Sequence, residues 1–255
     1  MTTRTAAPGA DDLLRARFDD AARPVPAADE VDWYVERLPQ DAGLALDAMC
    51  GSGRLLVPLV LRGVAMHGAD ASAAALALAA ARLAGAGRST LLYRQAIAAL
   101  NLPMRYAAAI LDGTAFQRIA DPVAARLALE RLRAHLIDPG VLVVDARVPS
   151  FAHARFGAPL VELSSVALGD GSQIRLRAET SVDTDARLAR TEARYTHRQG
   201  ARALAEEHAR GAMTWYAAGE LAELIASAGF RVVTEEPSPR ASEAGESGYV
   251  VTARA

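Results

Sequence analysis

A single cysteine, Cys50, stands among the 255 residues, so no intrachain disulfide can brace the chain. That usage fits a reducing compartment, and a cytoplasmic location is expected. No apolar run approaches the length of a membrane span, and the opening MTTRTAAPGADD lacks the apolar stretch of a signal peptide. Neither sign of charge dominates. The formal net charge is −2, with acids and bases interspersed, which leaves no electrostatic footprint for nucleic acid. Neither nucleic acid nor membrane is expected as a partner. The histidines, His67, His135, His153, His197 and His208, show no metal-ligand spacing, and no metal is expected. There is no internal repeat. What the chain does have is apolar residues, 51% of the total, enough for a proper core.

Those apolar residues come in a rhythm. Residues 1–10 read as a flexible tail, followed by helical segments at Asp11–Asp20 and Asp29–Leu38. From Leu44 onward, strand-like runs (LALDAM, VAMHGAD, TLLYRQ, YAAAIL, GVLVVDA) alternate with helical ones. Ser72 is placed to cap the helix that starts SAAALALAAARL, and Asp121 with Pro122 opens DPVAARLALERLRAHL. Strands separated by helices of this length predict a doubly wound parallel sheet. Between Phe151 and Thr214 the helical stripe disappears. Alternating segments there predict an antiparallel patch of three or four strands. A helix, AGELAELIASAG, follows, and then two strands joined only by a loop, which favours an antiparallel pair.

The first strand ends in LDAMCGSGRLL, a glycine-punctuated turn of the kind that cradles nucleotide-like cofactors. Gly51 and Gly53 are one residue apart and no lysine follows, so this is no triphosphate loop. Ser52 lacks the flanking glycines of a hydrolase elbow. A dinucleotide fingerprint fits better: two glycines, then Asp70 roughly twenty residues on for a ribose, although Leu56 stands where the third glycine belongs. The other option is a nucleoside with a ribose but no pyrophosphate. S-adenosylmethionine (SAM) is one: Asp70 suits its ribose, Asp47 its ammonium end, and Gly51 and Gly53 allow close backbone approach.

LDAMCGSGRLLVPLVLRGVAMHGADASAAAL resembles the first two motifs of class I SAM-dependent methyltransferases, of the form D-x-x-C-G-x-G-R and G-x-D-x-S. LIDPGVLVVDA, MTWYAAGELAELIASAGFRVV and SGYVVTARA resemble the family's later strands and helix, so the likeness runs from about Trp33 to the C-terminus. It implies an α/β fold with a mostly parallel, seven-stranded Rossmann-like sheet, one antiparallel strand, and a small antiparallel β insertion. The expected organisation is a tail and cap helices over 1–40, the cofactor-binding core over 41–150 and 215–255, and the insertion over 151–214, covering the substrate or forming a homodimer contact.

The resemblance also implies a site. Asp47, Gly51, Gly53, Asp70, Ala71, Ala96, Ile97 and Asp112 are the expected SAM-binding positions. The chain departs from the family at Ala96 and Ala107, where acids are usual; the Ile97 backbone N–H is then the expected adenine contact. Trp33, Tyr34, Phe116, Gln117 and Arg147 are expected to line the acceptor cleft, and Asp112, His153 and His208 are the candidate catalytic groups. Cys50 reads as a packing residue beneath the turn. The implied activity is methyl transfer to an N, O or C nucleophile of a small molecule. A catalytically silent protein of the same fold and an NAD(P)-dependent oxidoreductase are the alternatives.

Overall fold

The computed structural model describes residues 12–23, 25–38, 43–152, 158–240 and 247–255, with 232 and 233 described by backbone alone. The expected tail over 1–10 and the candidate His153 lie outside the described residues.

Two helices, α1 (Leu13–Ala22) and α2 (Ala28–Arg37), precede the sheet. The core then runs β1 (Ala45–Ala48), α3 (Leu56–Leu61), β2 (Met66–Asp70), α4 (Ala73–Gly85), β3 (Leu92–Arg94), β4 (Tyr106–Leu111), α5 (Pro122–His135) and β5 (Leu136–Val148). After four further strands, β6 (Leu160–Ala167), β7 (Gln173–Asp183), β8 (Leu188–Gln199) and β9 (Arg202–Thr214), it closes with α6 (Glu220–Ser227), β10 (Arg231–Pro237) and β11 (Ser247–Arg254). Seven strands form one sheet in the order β10-β11-β5-β4-β1-β2-β3. Strand β11 is antiparallel to both neighbours, β10 and β5, as the helix-free connection implied.

The central strands are apolar on both faces because helices cover both. Along β4, Ala108 and Ile110 face a cluster with Tyr34, Leu56 and Leu59, while Ala109 and Leu111 face α5 through Leu129 and Leu132. The expected caps are present: Ser72 Oγ accepts the Ala75 N–H at 3.0 Å, and Asp121 caps Val123. Strand β3 is shorter than the expected TLLYRQ, pairing only over three residues at the sheet edge.

The insertion is a separate antiparallel sheet of four strands, β6-β7-β8-β9. Its inner face, Ile174, Leu176, Ala178 and Tyr195, is covered by Leu14 and Phe18 of α1. Helix α1 therefore belongs to the insertion's core, which the 1–40 grouping did not anticipate. By this packing, α1 and the edge strand β9 overhang the C-terminal ends of β1, β2 and β4. The strand order reverses there, between β1 and β4, and open α/β sheets bind ligands at such a point.

Candidate functional site

The turn after β1 holds three residues in the left-handed region, Met49 (φ 63°), Gly51 (55°) and Gly53 (81°). A Cβ at Gly53 would meet Val57 Cγ2 at 3.0 Å and Ala79 Cβ at 3.2 Å, so this glycine lets α4 close on the turn. At Gly51 the space is open. Asp70, at the tip of β2, ties the two loops together: its oxygens accept the Gly51 and Ser72 N–H groups, each at 2.8 Å. Asp47, at the end of β1, is 1% exposed, and its Oδ1 has no hydrogen-bond partner among the described residues. Burial first, then the charges of Asp112 and Asp70, push its carboxyl well above the usual range, with Arg54 opposing. Asp47, Gly51, Asp70 and Ala71 line one hollow of about 750 Å³.

Asp112, at the end of β4, also lines it, and is clasped by a buried guanidinium. Arg54 Nε and Nη2 donate to the two Asp112 oxygens at 3.0 and 2.9 Å, and Nη1 donates to Glu30 Oε2 at 3.3 Å. A further contact joins Nη2 to Glu30 Oε1. Burial disfavours the charge on Arg54, but its bonds to Glu30 and Asp112 outweigh that and raise its pKa. Beneath this layer Asp145 is fully buried, accepting the Gly113 N–H at 3.1 Å. Burial and the Asp112 charge lift its carboxyl to about 6. Residue-by-residue reading missed Glu30, Arg54 and Asp145. The one available signal was Arg54 itself, since an arginine directly behind a buried turn needs carboxylates.

Several expected positions lie elsewhere. Tyr34 packs into the core at 1% exposure, as the inner face of α2 requires; its hydroxyl has no partner among the described residues. Trp33 lies outside the hollow, with the Arg37 guanidinium 3.7 Å over its ring. Phe116 is buried and stacked on Tyr216, with ring centroids 6.1 Å apart. Gln117 is a buried clamp: its Nε2 donates to the Arg147 and Thr214 carbonyls at 2.8 and 3.0 Å, and its Oε1 accepts the Arg147 N–H at 2.8 Å. Neither lines the hollow, because the turn at Phe116–Arg118 rotates both inward and leaves Arg118 facing out.

Ala96 is exposed and Ile97 is in the main core, both away from the hollow, because a short 3-10 turn buries Ile97. Arg147 does line it, as does His208, an exposed rim residue beside Glu206 at 2.9 Å. Cys50 packs as expected: a Cβ at Gly68 would come within 2.8 Å of its sulfur. Burial, then Asp47 and Asp70, push its thiol up, so it is no ready nucleophile. Among the described residues no group of side chains could hold a metal ion.

No protein-family model matches the chain, and no curated protein sequence does. Solved structures do. The sugar N-methyltransferase KedS8 from Streptoalloteichus is 19% identical, with a TM-score of 0.72 over 100% of this chain and 98% of that one. CcbJ methyltransferase from Streptomyces caelestis is 20% identical, with a TM-score of 0.71 over 96% and 97%. SAM-bound CalS10, an amino pentose methyltransferase from Micromonospora echinaspora, is 24% identical, with a TM-score of 0.63 over 93% of each chain. The protein has the fold of SAM-dependent methyltransferases.

Proposed function

We propose that the protein is a SAM-dependent methyltransferase acting on a small molecule, with an amine as the preferred nucleophile. One observation carries the reading. A buried carboxylate with an unused oxygen (Asp47) and a second carboxylate on the next strand tip (Asp70) flank the open backbone of Gly51 in a single hollow. That donor set fits SAM. Asp70 accepts from the ribose hydroxyls, Asp47 holds the ammonium end directly or through water, and Gly51 admits the ligand against the main chain. When bound, the cofactor supplies an electrophilic methyl on a positively charged sulfur.

The protein's task is then to align an acceptor and exclude water, which contributes about 7–11 kcal/mol in favourable cases. Asp112 is committed to Arg54, and His208 sits at the rim, so neither is a free base at the centre of the hollow. An amine that arrives neutral needs none. The named activities of KedS8 and CalS10 on amino sugars agree with that choice. We read the insertion as a lid, because β9 contributes Glu207, His208 and Arg210 to the hollow's lining.

The alternatives are less well supported. Leu56, fully buried in the first turn of α3, fills the place of the third glycine of a dinucleotide site. A silent role fits poorly with a hollow that side chains leave open. Calorimetric titration with SAM tests the proposal. Wild type should bind, and Asp70→Ala should lose about 2–4 kcal/mol of affinity, roughly 30- to 1000-fold. No heat at millimolar SAM, or equal affinity in the variant, would remove the reading.

A further inference from the structure

We propose that the methyl acceptor carries an oxyanion, phosphate or carboxylate, which docks on Arg118 at the mouth of the hollow. This inference rests on reading the hollow as a methyl-transfer site and names the class of molecule it takes.

The hollow has two walls of opposite chemistry. The inner one is Asp47, Gly51, Asp70 and Ser72. The outer one gathers arginines from five places in the chain: Arg15 and Arg23 by α1, Arg118 after β4, Arg147 on β5, Arg210 on β9 and Arg240 after β10. Of the acids among the described residues, Asp12, Asp19 and Glu207 stand with them and Asp112 faces Arg240; all of these but Asp12 are already engaged. Asp19 lies 3.9 Å from Arg15 and 4.0 Å from Arg23. Glu207 accepts the Leu14 and Arg15 backbone N–H groups at 2.7 and 3.3 Å. Arg210 is held by Glu192 at 3.1 Å. Arg240 stands 4.0 Å from Asp112, with its guanidinium pressed over Gly113.

Arg118 is the exception. Among the described residues its side chain makes no hydrogen bond or ion pair, and it opens into the hollow. Although it is exposed there, surrounding protein atoms desolvate it, and the charges of Arg23 and Arg15 disfavour it further, with Asp19 and then Tyr195 in partial compensation. A guanidinium held open among like charges is unfavourable in the empty protein and favourable once an anion binds. Its planar fork matches carboxylate and phosphate geometry in two parallel bonds. A net charge of −2 for the whole chain makes this concentration local to the site rather than a general basic surface. An acceptor anchored by its anionic end at the mouth has its other end free to reach the inner wall.

Titration of the intact protein with pyrophosphate and, separately, with malonate tests this. At least one probe should bind saturably at millimolar concentration, and which one binds separates phosphate from carboxylate recognition. Arg118→Gln should weaken that binding by about tenfold or more, and Arg118→Lys by less, because it keeps the charge but loses the fork. Both variants should bind SAM as wild type does, which shows that they are folded. If neither probe binds wild type, or if binding is indifferent to Arg118→Gln, the proposal is overturned. If pyrophosphate binds through Arg118 but wild type fails to bind SAM, the anion site stands and the methyl-transfer reading is the one that falls.

Discussion

Asp47 presents an oxygen that nothing in the described protein uses, at a place where burial makes its charge expensive. Its raised pKa means that the empty site holds a proton on this carboxyl at pH values where an ordinary aspartate is ionised. An ammonium group favours the ionised form, so cofactor binding should drive the proton off. Two consequences follow from the sign. Affinity should weaken as the pH falls through the raised pKa of Asp47. The binding heat should also differ between buffers of different ionisation enthalpy, and Asp47→Asn should abolish that difference. A buffer-independent heat in wild type would contradict this role.

Asp145 gives a second residue-scale prediction, on stability. Its pKa is raised by folding, so its contribution is fully present below the ordinary value of 3.8 and lost as the pH rises through about 6. Asp145→Asn keeps an acceptor for Gly113 without the charge. Relative to wild type, the variant should melt about 3 °C or more higher at about pH 8 than at about pH 5. A difference that does not move with pH would refute it. At this scale the placement of Asp47, Gly51 and Asp70 on one hollow was legible because glycine spacing and strand ends are local features, whereas Gly53, expected at the cofactor, is turned against Val57 and Ala79 and does not line it. The partners of Arg54 were not, since Glu30 and Asp112 lie 24 and 58 positions away in the chain.

Among the elements, α2 is fastened to the site by one buried ion pair. Glu30 is 5% exposed and reaches Arg54, which also fixes Asp112 at the hollow. Removing one partner of a buried pair leaves an uncompensated charge. Because Arg54 keeps Asp112, Glu30→Gln should cost about 2–3 kcal/mol of stability in a denaturant melt, somewhat under the usual loss for such pairs. A change within about 0.5 kcal/mol would mean that the clasp contributes little. Helix caps, strand runs and the alternating insertion were readable from periodicity, although β3 is shorter than TLLYRQ and β5 starts earlier than GVLVVDA. The packing of α1 was not. An amphipathic helix has the same pattern whichever sheet it covers, and Leu14 and Phe18 happen to cover the insertion. The same ambiguity explains Tyr34, Phe116 and Gln117: a sequence places them near a cleft, but only the turn geometry decides which side chains face it.

For the molecule as a whole, the hollow is a product of assembly. The parallel sheet supplies carboxylates and a glycine turn at its switch point, and the arginine-bearing wall combines Arg15, Arg23 and Arg210 from α1 and β9 with Arg118, Arg147 and Arg240 from the sheet's own strands and loops. The α/β rhythm and the family resemblance made the first half legible in the sequence. The second half depends on an insertion folding back over the sheet, which no local pattern encodes. The most direct measurement is a crystal structure of the protein with S-adenosylhomocysteine. The ligand should lie in this hollow with its ribose hydroxyls on Asp70 and its ammonium group engaging the unused oxygen of Asp47. Density for the ligand elsewhere, or an Asp47 still without a partner when it is bound, would contradict the account.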